Sequence, residues 1–152
     1  AGVFALGDAW GYAATAPESW RWPYHTTGPR DLWVEDPTSP HYNEHVLVEG
    51  DRALEPWEAA SVMRGHDPSH ALKVFVAHNA PPGALAGAGS AIFLHIWRDD
   101  GARATAGCTS MPRADLEELV GWLDPAAHPV YVLLTADELE RVGTSWGLPV
   151  PD

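Results

Sequence analysis

Glycine and proline occur along the whole chain, and they limit its fold more than any other feature of the sequence. The 152 residues include 14 of each, many of them in pairs. Both residue types interrupt regular elements, so the chain is divided into short segments and a helical bundle is disfavoured. We therefore predict a mainly β fold with one or two helices, which forms a single domain over residues 1–152.

Hydrophobic patterning predicts where the strands and helices lie. The strongest strand is Ser90–Trp97, because its nearly continuous apolar run is typical of a strand buried on both faces. Apolar residues recur at helical spacing from Leu116 to Leu123, which predicts a helix over Arg113–Leu123. Three further strands are predicted within Ala1–Tyr12, Lys73–Ala77 and Pro129–Thr135. We also predict a short helix over Glu55–Arg64 and at most a short polar helix after Ala136. The segment Ala13–Pro40 is predicted to form an irregular layer.

The charge balance argues against several classes of partner. Nine basic residues stand against 21 acidic ones, giving a net charge of −12, and Lys73 is the only lysine. Without a basic stripe the chain is poorly suited to nucleic acid or to an anionic membrane surface. No apolar run approaches the length of a membrane span, so we predict none. No phosphate loop or dinucleotide fingerprint occurs, so we predict no cofactor. The adjacent Glu35 and Asp36 are interpreted as solvated loop charges.

A histidine late in the strongest strand and the single cysteine after it form the first candidate site. Twelve residues separate His95 from Cys108, enough for a turn and a returning segment, so we expect the two side chains to meet on adjacent antiparallel segments. An adjacent imidazole stabilises a thiolate and takes its proton. Gly107 offers a backbone N–H to an oxyanion, and a helix that begins near Pro112 would favour a thiolate. A buried thiol beside a hydrogen-bonded core histidine is the alternative.

Histidines with metal-ligand spacing form a second candidate. His41, Glu44 and His45 match the H-x-x-E-H pattern of inverted zinc peptidases, and His66 and His70 make another i, i+4 pair. The pattern requires a helix with both imidazoles on one face, but an apolar, strand-like run begins directly after His45. Surface histidines account for the same spacing. We therefore predict no metal site.

Three segments in series resemble the L,D-transpeptidase (YkuD) catalytic domain. They are Gly89–Trp97, Thr105–Thr109, and a Pro-x-Ala-Asp-Leu helix that ends in Trp-Leu-Asp-Pro125. The motif of that family is a histidine, a gap, and then [Ser/Thr]-x-Gly-Cys. Weaker matches cover most of residues 1–135: Gly2–Gly7, Trp33–Asn43 and the His78-Asn79 pair.

The resemblance implies a mainly β, YkuD-like fold and a cysteine acyl-enzyme, with Cys108 as nucleophile and His95 as general base. It also implies that the chain acts on peptidoglycan stem peptides as donor and acceptor, in the periplasm or cell wall, and that the family's first strand or strands precede Ala1. The catalytic residues are then Cys108, His95 and Gly107, and the substrate-binding residues are His78, Asn79, Ser90, Trp97, Arg98, Thr105 and Ala106.

Two features separate this chain from the commonest form of the motif: the residue before Gly-Cys, and a shorter gap between His95 and Cys108. The family usually has histidine directly before Gly-Cys, whereas here that residue is Ala106. The Ala-Gly-Cys pattern resembles a subgroup, and we predict a donor cleaved after its first residue, which gives a 1–3 type crosslink. Two alternatives stay open: an L,D-carboxypeptidase that uses the same site with water, and a wall-binding module without turnover.

Overall fold

The computed structural model describes residues 2–149, and most of its regular elements belong to one mixed sheet. Three α-helices lie within the described residues: α1 Pro56–Ala60, α2 Arg113–Trp122 and α3 Ala136–Trp146. The strands are β1 Gly2–Gly11, β2 Tyr24–Thr26, β3 Asp31–Trp33, β4 His45–Leu47, β5 Leu72–Val76, β6 Phe93–Ile96, β7 Thr109–Met111 and β8 Val130–Leu133.

Strand β1 organises the main sheet because its two halves have different neighbours. Its first half pairs antiparallel with β8, and its second half pairs antiparallel with β5, after a register irregularity between Leu6 and Ala9. From β1 the order continues through β5 and β6 to β7, with β6 and β7 parallel, and β2 lies parallel to β1 at the other edge. Strands β3 and β4 form a separate hairpin. The prediction of a mainly β fold is confirmed.

The two faces of the sheet have different coverings. On one face, Val74 and Leu94 pack against Leu116 and Val120 of α2, all 1% exposed or less. On the other face, Phe93 packs in a cluster with Trp10 of β1, Trp33 of β3 and Met63, which follows α1. Because successive side chains of a strand point to opposite faces, β6 is buried on both, as its apolar run predicted.

Two predicted elements are shorter than the sequence indicated. Strand β6 begins only at Phe93, because Ala91 has a φ of 53° and its N–H donates to Asn43 Oδ1 instead of extending the ladder. Helix α1 ends at Ala60, because the chain after it pairs with β3, where Met63 N–H donates to the Asp31 carbonyl at 2.8 Å. In both places a tertiary partner takes the backbone groups that a longer element would need.

The remaining predictions agree with the structure except at the C-terminal tail and in the irregular layer. Helix α2 and strands β1, β5 and β8 lie where they were predicted. The layer over residues 13–40 contains two short strands, and its Trp22 and Trp33 are buried. The tail helix is longer than predicted, since α3 runs for 11 residues from a Thr135 N-cap. Residues 1 and 150–152 of the predicted elements lie outside the described residues. None of the described helices has the length and apolarity needed to cross a membrane.

Candidate active site

The register of three strands places the candidate catalytic residues on one face of the sheet. Lys73 of β5 lies opposite His95 of β6, and His95 lies beside Ser110 of β7. The prediction that the His95 and Cys108 segments run antiparallel is wrong, because β6 and β7 are parallel. Extending their register by one residue puts Cys108 beside Phe93. Since Phe93 and His95 are two residues apart on one strand, their side chains and that of Cys108 share a face. This face is opposite the one that α2 covers.

The thiol of Cys108 is partly buried and makes two contacts with backbone before β6. Its Sγ accepts a hydrogen bond from Phe93 N–H at 3.4 Å and donates to the Ala91 carbonyl at 3.5 Å. Burial raises the pKa of the thiol, and the Glu35 carboxylate raises it further, while the Phe93 N–H and nearby cations lower it. At neutral pH the thiol therefore carries its proton before substrate arrives.

His95 is buried and is held in one tautomer. It is 3% exposed, and its Nδ1 lies 2.7 Å from the carbonyl oxygen of Ile96. Because a carbonyl only accepts hydrogen bonds, Nδ1 carries the hydrogen and Nε2 keeps a free lone pair. Burial lowers the pKa of the imidazole, and the Ile96 carbonyl opposes that effect. The ring is therefore a neutral base with Nε2 as its basic atom.

No hydrogen bond joins His95 to Cys108 within the described part of the chain. Strand spacings put their Cα atoms roughly 8 Å apart on the diagonal of two neighbouring strands. The thiol is turned to the Ala91 carbonyl, so its proton is not yet directed at the imidazole. A rotation of the cysteine side chain is needed to present that proton to Nε2, and catalytic contacts of this kind commonly tighten only when substrate binds.

A cavity of about 260 Å³ lies on this face of the sheet, and neither Cys108 nor His95 is part of its lining. Ala91 and Phe93, whose backbones touch Cys108 Sγ, are part of its lining, and so are Lys73 and Glu35. Glu35 is exposed, as expected of a solvated loop charge, and it also borders this cavity, where partial loss of hydration raises the pKa of its carboxyl. A larger cavity of about 590 Å³ lies beside α2 and holds no nucleophile.

Lys73 is a polar member of the site that the sequence analysis did not assign. The residue is 4% exposed, its Nζ donates to the Met63 carbonyl at 3.2 Å, and it lies 5.1 Å from the centroid of the Phe93 ring. Burial lowers its pKa to about 8, while the charges of Cys108 and Glu35 raise it. The only signal in the sequence was a lone lysine at the start of an apolar strand.

Arg98 lies two residues after β6 and holds a short 3₁₀ turn, Pro68–His70, against the ring of His95. Its Nε forms an ion pair with Asp67 Oδ2 at 2.6 Å, and its Nη2 lies 3.1 Å from His70 Nε2. The His70 ring in turn stacks on His95, with ring centroids 5.1 Å apart and planes 27° apart. Arg98 was predicted to bind substrate, and in this structure its guanidinium makes internal contacts.

Asn43 links the segments around the thiol, a role that no pattern in the sequence indicates. It is 1% exposed, and its Oδ1 accepts from Trp33 Nε1 at 3.0 Å and from Ala91 N–H at 2.9 Å. Its Nδ2 donates to the carbonyls of His78 and Asn79 at 3.1 and 2.9 Å. The amide thus fixes the backbone of Ala91, whose carbonyl contacts the thiol.

Three predicted substrate-binding residues before β6 surround the loop over residues 80–89. The Asn79 side chain donates to the carbonyls of Leu85 and Gly89, and His78 Nε2 lies 3.0 Å from the Ala88 carbonyl oxygen. Ser90 follows directly and is half-buried. His78 and Asn79 therefore hold the ends of the loop together, and their contact with substrate stays a prediction.

The segment before Cys108 is a tight turn that only glycine suits. Thr105 Oγ1 donates to the Cys108 carbonyl at 2.5 Å and lies 3.4 Å from Gly107 N. Gly107 has a φ of 152°, and a Cβ there would lie 3.1 Å from Ile92 Cδ1. Ala106 is exposed beside this turn, and the exposed Trp97 donates from Nε1 to the Ser110 carbonyl. The turn places the backbone of Gly107 directly next to the thiol residue.

The expected influence of a helix dipole on Cys108 is not supported. Helix α2 does begin at Arg113, but β7 lies between it and the cysteine. Four residues of extended chain from Cys108 to Pro112 span roughly 13 Å. The dipole effect is confined to about the first turn of a helix, and α2 packs on the opposite face of the sheet. Activation of the thiol must therefore come from nearer groups.

The histidines with metal spacing lie apart from this site. His41 is in a turn beside Glu44, and His45 is on β4, where its Nε2 lies 2.7 Å from Asp31 Oδ1. The helix that the H-x-x-E-H pattern requires is absent from these residues, because β4 pairs with β3. Within residues 2–149, no three His, Cys, Asp or Glu side chains converge as a metal-binding group. His66 is exposed, whereas the His70 ring stacks on His95.

Comparison with known proteins assigns the chain to a family. The family model of the L,D-transpeptidase catalytic domain, YkuD, matches residues 1–132. A search of curated proteins and a search of solved structures found no match. The matched region includes β1, β5, β6 and β7, and with them His95 and Cys108. The chain therefore belongs to the YkuD family of L,D-transpeptidase catalytic domains, whose members depend on a cysteine and act on peptidoglycan.

Proposed function

We propose that this protein is a peptidoglycan L,D-transpeptidase that forms stem-peptide crosslinks through a thioester on Cys108. The observation that carries the proposal is the shared face of Cys108 and His95, with the Ile96 carbonyl fixing the imidazole so that Nε2 is its basic atom. Membership of the family gives the reaction class. The position of these two side chains supports Cys108 and His95 as the residues that perform it.

The first half of the reaction moves one proton and exchanges one bond. Cys108 Sγ gives its proton to His95 Nε2 and attacks the carbonyl carbon of the donor peptide bond. When the tetrahedral intermediate collapses, the C–N bond breaks and His95 returns the proton to the leaving amine. The product is a thioester between the donor acyl group and Sγ, and the released fragment carries a new amino group.

The second half resolves the thioester with an acceptor amine. His95 takes a proton from the amine as its nitrogen attacks the thioester carbon, the C–S bond breaks, and the proton returns to Sγ. If water takes the place of the amine, the same steps make an L,D-carboxypeptidase. A wall-binding module without turnover would leave the thiol unreacted, so detection of the acyl-enzyme separates this alternative from both enzymes.

Charged groups around the site shift the pKa of the Cys108 thiol, and the dipole of α2 is not needed for this effect. Lys73 and Arg98 both favour the thiolate, and the Phe93 N–H donates directly to Sγ. Burial and Glu35 act in the opposite direction, which keeps the resting thiol protonated. This balance favours transfer to a neutral His95 at the moment of attack over a permanently charged ion pair.

The exposed alanine beside the nucleophile supports a proposal about the donor. A histidine before Gly-Cys would add a proton carrier on that side, whereas Ala106 leaves space and no polar group. We propose that the donor is cleaved after its first residue, giving a 1–3 type crosslink. We also propose that stem peptides serve as donor and acceptor, and that the protein acts in the periplasm or the cell wall, where such substrates occur.

Product analysis tests the function and the crosslink together. The purified protein is incubated with muropeptides, and the dimers are sequenced by tandem mass spectrometry. We expect dimers of the 1–3 type, and exclusively 3–3 dimers would refute the donor proposal while supporting transpeptidation. His95→Gln should lower the rate of acyl-enzyme formation at least about 100-fold. The matched control is His66→Gln, an exposed histidine outside the cavity lining, which should react like the unmodified protein.

A further inference from the structure

The ammonium group of Lys73 has more hydrogen-bond capacity than the protein uses. Its three N–H donors face one acceptor, the Met63 carbonyl, at 3.2 Å, and the Phe93 ring lies beneath the charge. Within residues 2–149, no carboxylate lies within ion-pair distance of Nζ, although Glu35 borders the same cavity. A buried cation without a paired anion is costly, so the cavity favours an occupant that supplies one.

His70 contributes a second unused donor to the same cavity. Arg98 can only donate, so His70 Nε2 accepts its hydrogen bond and Nδ1 must carry the ring hydrogen. Burial lowers the pKa of this imidazole to about 4, which keeps it neutral. Nδ1 is buried and has no hydrogen-bond partner among the described residues. Such a group calls for an acceptor that the protein itself does not provide.

We propose that the cavity lined by Lys73 and His70 binds a carboxylate of the substrate residue on the leaving side of the scissile bond. The carboxylate would accept hydrogen bonds from Lys73 Nζ and from His70 Nδ1–H. The assignment of this carboxylate to a donor peptide rests on the proposed transpeptidase function. The presence of a carboxylate site in the cavity does not.

The position of the cavity supports a group one residue away from the reacting carbonyl. Ala91 and Phe93 line it, and the same two residues contact Cys108 Sγ through their backbones. We therefore infer that a peptide whose carbonyl lies at the thiol can place its next residue in the cavity, past Ala91 and Phe93. Glu35 adds one negative charge to the lining, and the charge of Asp67 is paired with Arg98. The negative charge of Glu35 repels an anion in the cavity, and it repels a dianion such as phosphate more strongly than a singly charged carboxylate.

A chain with one lysine allows a direct test of binding without turnover. With ¹⁵N-labelled lysine, the Nζ resonance of Lys73 is followed during titration with N-acetyl-D-alanine and with its C-terminal carboxamide. We expect the carboxylate to shift the resonance in a saturable way and to raise the pKa of Nζ, and the carboxamide to do neither. Equal responses to both compounds, or no response to either, would overturn the proposal.

Acylation kinetics test the same site with a donor. A donor peptide whose second residue, on the leaving side, has a free carboxylate should acylate Cys108 about tenfold faster than the same peptide with that carboxylate converted to a carboxamide, because a charge-assisted contact is lost in the latter. Lys73→Met should abolish that preference, and Arg141→Met, which removes an equal charge from exposed α3, should keep it. A preference retained in Lys73→Met contradicts the proposal. If neither peptide acylates the protein, the transpeptidase function fails, and the lysine resonance alone decides the carboxylate site.

Discussion

Replacement of Asn43 by alanine should destabilise the protein far more than its size suggests. The change removes four buried or partly buried hydrogen bonds, two accepted by Oδ1 and two donated by Nδ2. The indole N–H of Trp33 and the amide of Ala91 then lose their acceptors. Each buried group left unpaired costs about 1–3 kcal/mol, so a total loss of about 3–5 kcal/mol in unfolding free energy is expected.

The second asparagine of the chain supplies a matched control. Asn79 also has a positive φ, 51° against 62° at Asn43, so an alanine at either position meets a similar backbone penalty. The hydrogen bonds that Asn79 makes with Leu85 are exposed, and its bond to Gly89 is only partly buried. The difference between the two variants therefore reports the burial of the side-chain hydrogen bonds.

Urea unfolding of both variants measures this difference. We expect Asn43→Ala to lose at least about 2 kcal/mol more than Asn79→Ala, with an unchanged dependence on urea concentration. Asn43→Ala should also change the alkylation rate of Cys108, because Ala91 is no longer fixed against the thiol. Equal stabilities of the two variants would refute the reasoning about this buried amide.

Three further perturbations have defined outcomes. Gly107→Ala should reduce acyl-enzyme formation at least about tenfold by straining the turn against Ile92, measured by intact mass against time. Glu35→Gln removes a charge that raises the pKa of the Cys108 thiol, so that pKa should fall and iodoacetamide should react faster at pH 7. Glu58 has a folded pKa of about 2, below the ordinary value of 4.5, so its contribution to stability is present above pH 4.5 and is lost as pH falls toward 2. Urea unfolding of Glu58→Gln should therefore differ from the unmodified protein at pH 6 and converge with it in acid.

The elements that the sequence predicted best are those in which one local pattern decides the outcome. The helical period of α2 and the apolar run of β6 state directly which faces are buried. The short separation of His95 and Cys108 predicted adjacent antiparallel segments, whereas β6 and β7 are parallel; the contact between the two side chains stays a prediction. Where a distant partner takes the backbone hydrogen bonds, prediction failed: Asn43 ends the ladder at Ala91, and pairing with β3 ends α1 early.

The polar groups around the thiol were beyond the reach of local patterns. Lys73, His70 and Glu35 come from three separate segments, and only the folded sheet and the irregular layer bring them to one cavity. A histidine in a turn and a glutamate in a loop are interpreted as solvated unless their neighbours are known. The predicted helix-dipole effect failed for a related reason: a separation of five residues says nothing about which face of the sheet a helix covers.

The central claim is that Cys108 becomes acylated by a peptidoglycan donor with His95 as the base. Intact-mass spectrometry during incubation with purified muropeptides tests it most directly, with peptide mapping to locate the adduct. The account predicts a transient mass increase equal to the donor acyl group, carried by Cys108, released by hydroxylamine as expected of a thioester, and absent from Cys108→Ala. A crosslinked product formed without this adduct, or an equal adduct on Cys108→Ala, would contradict it.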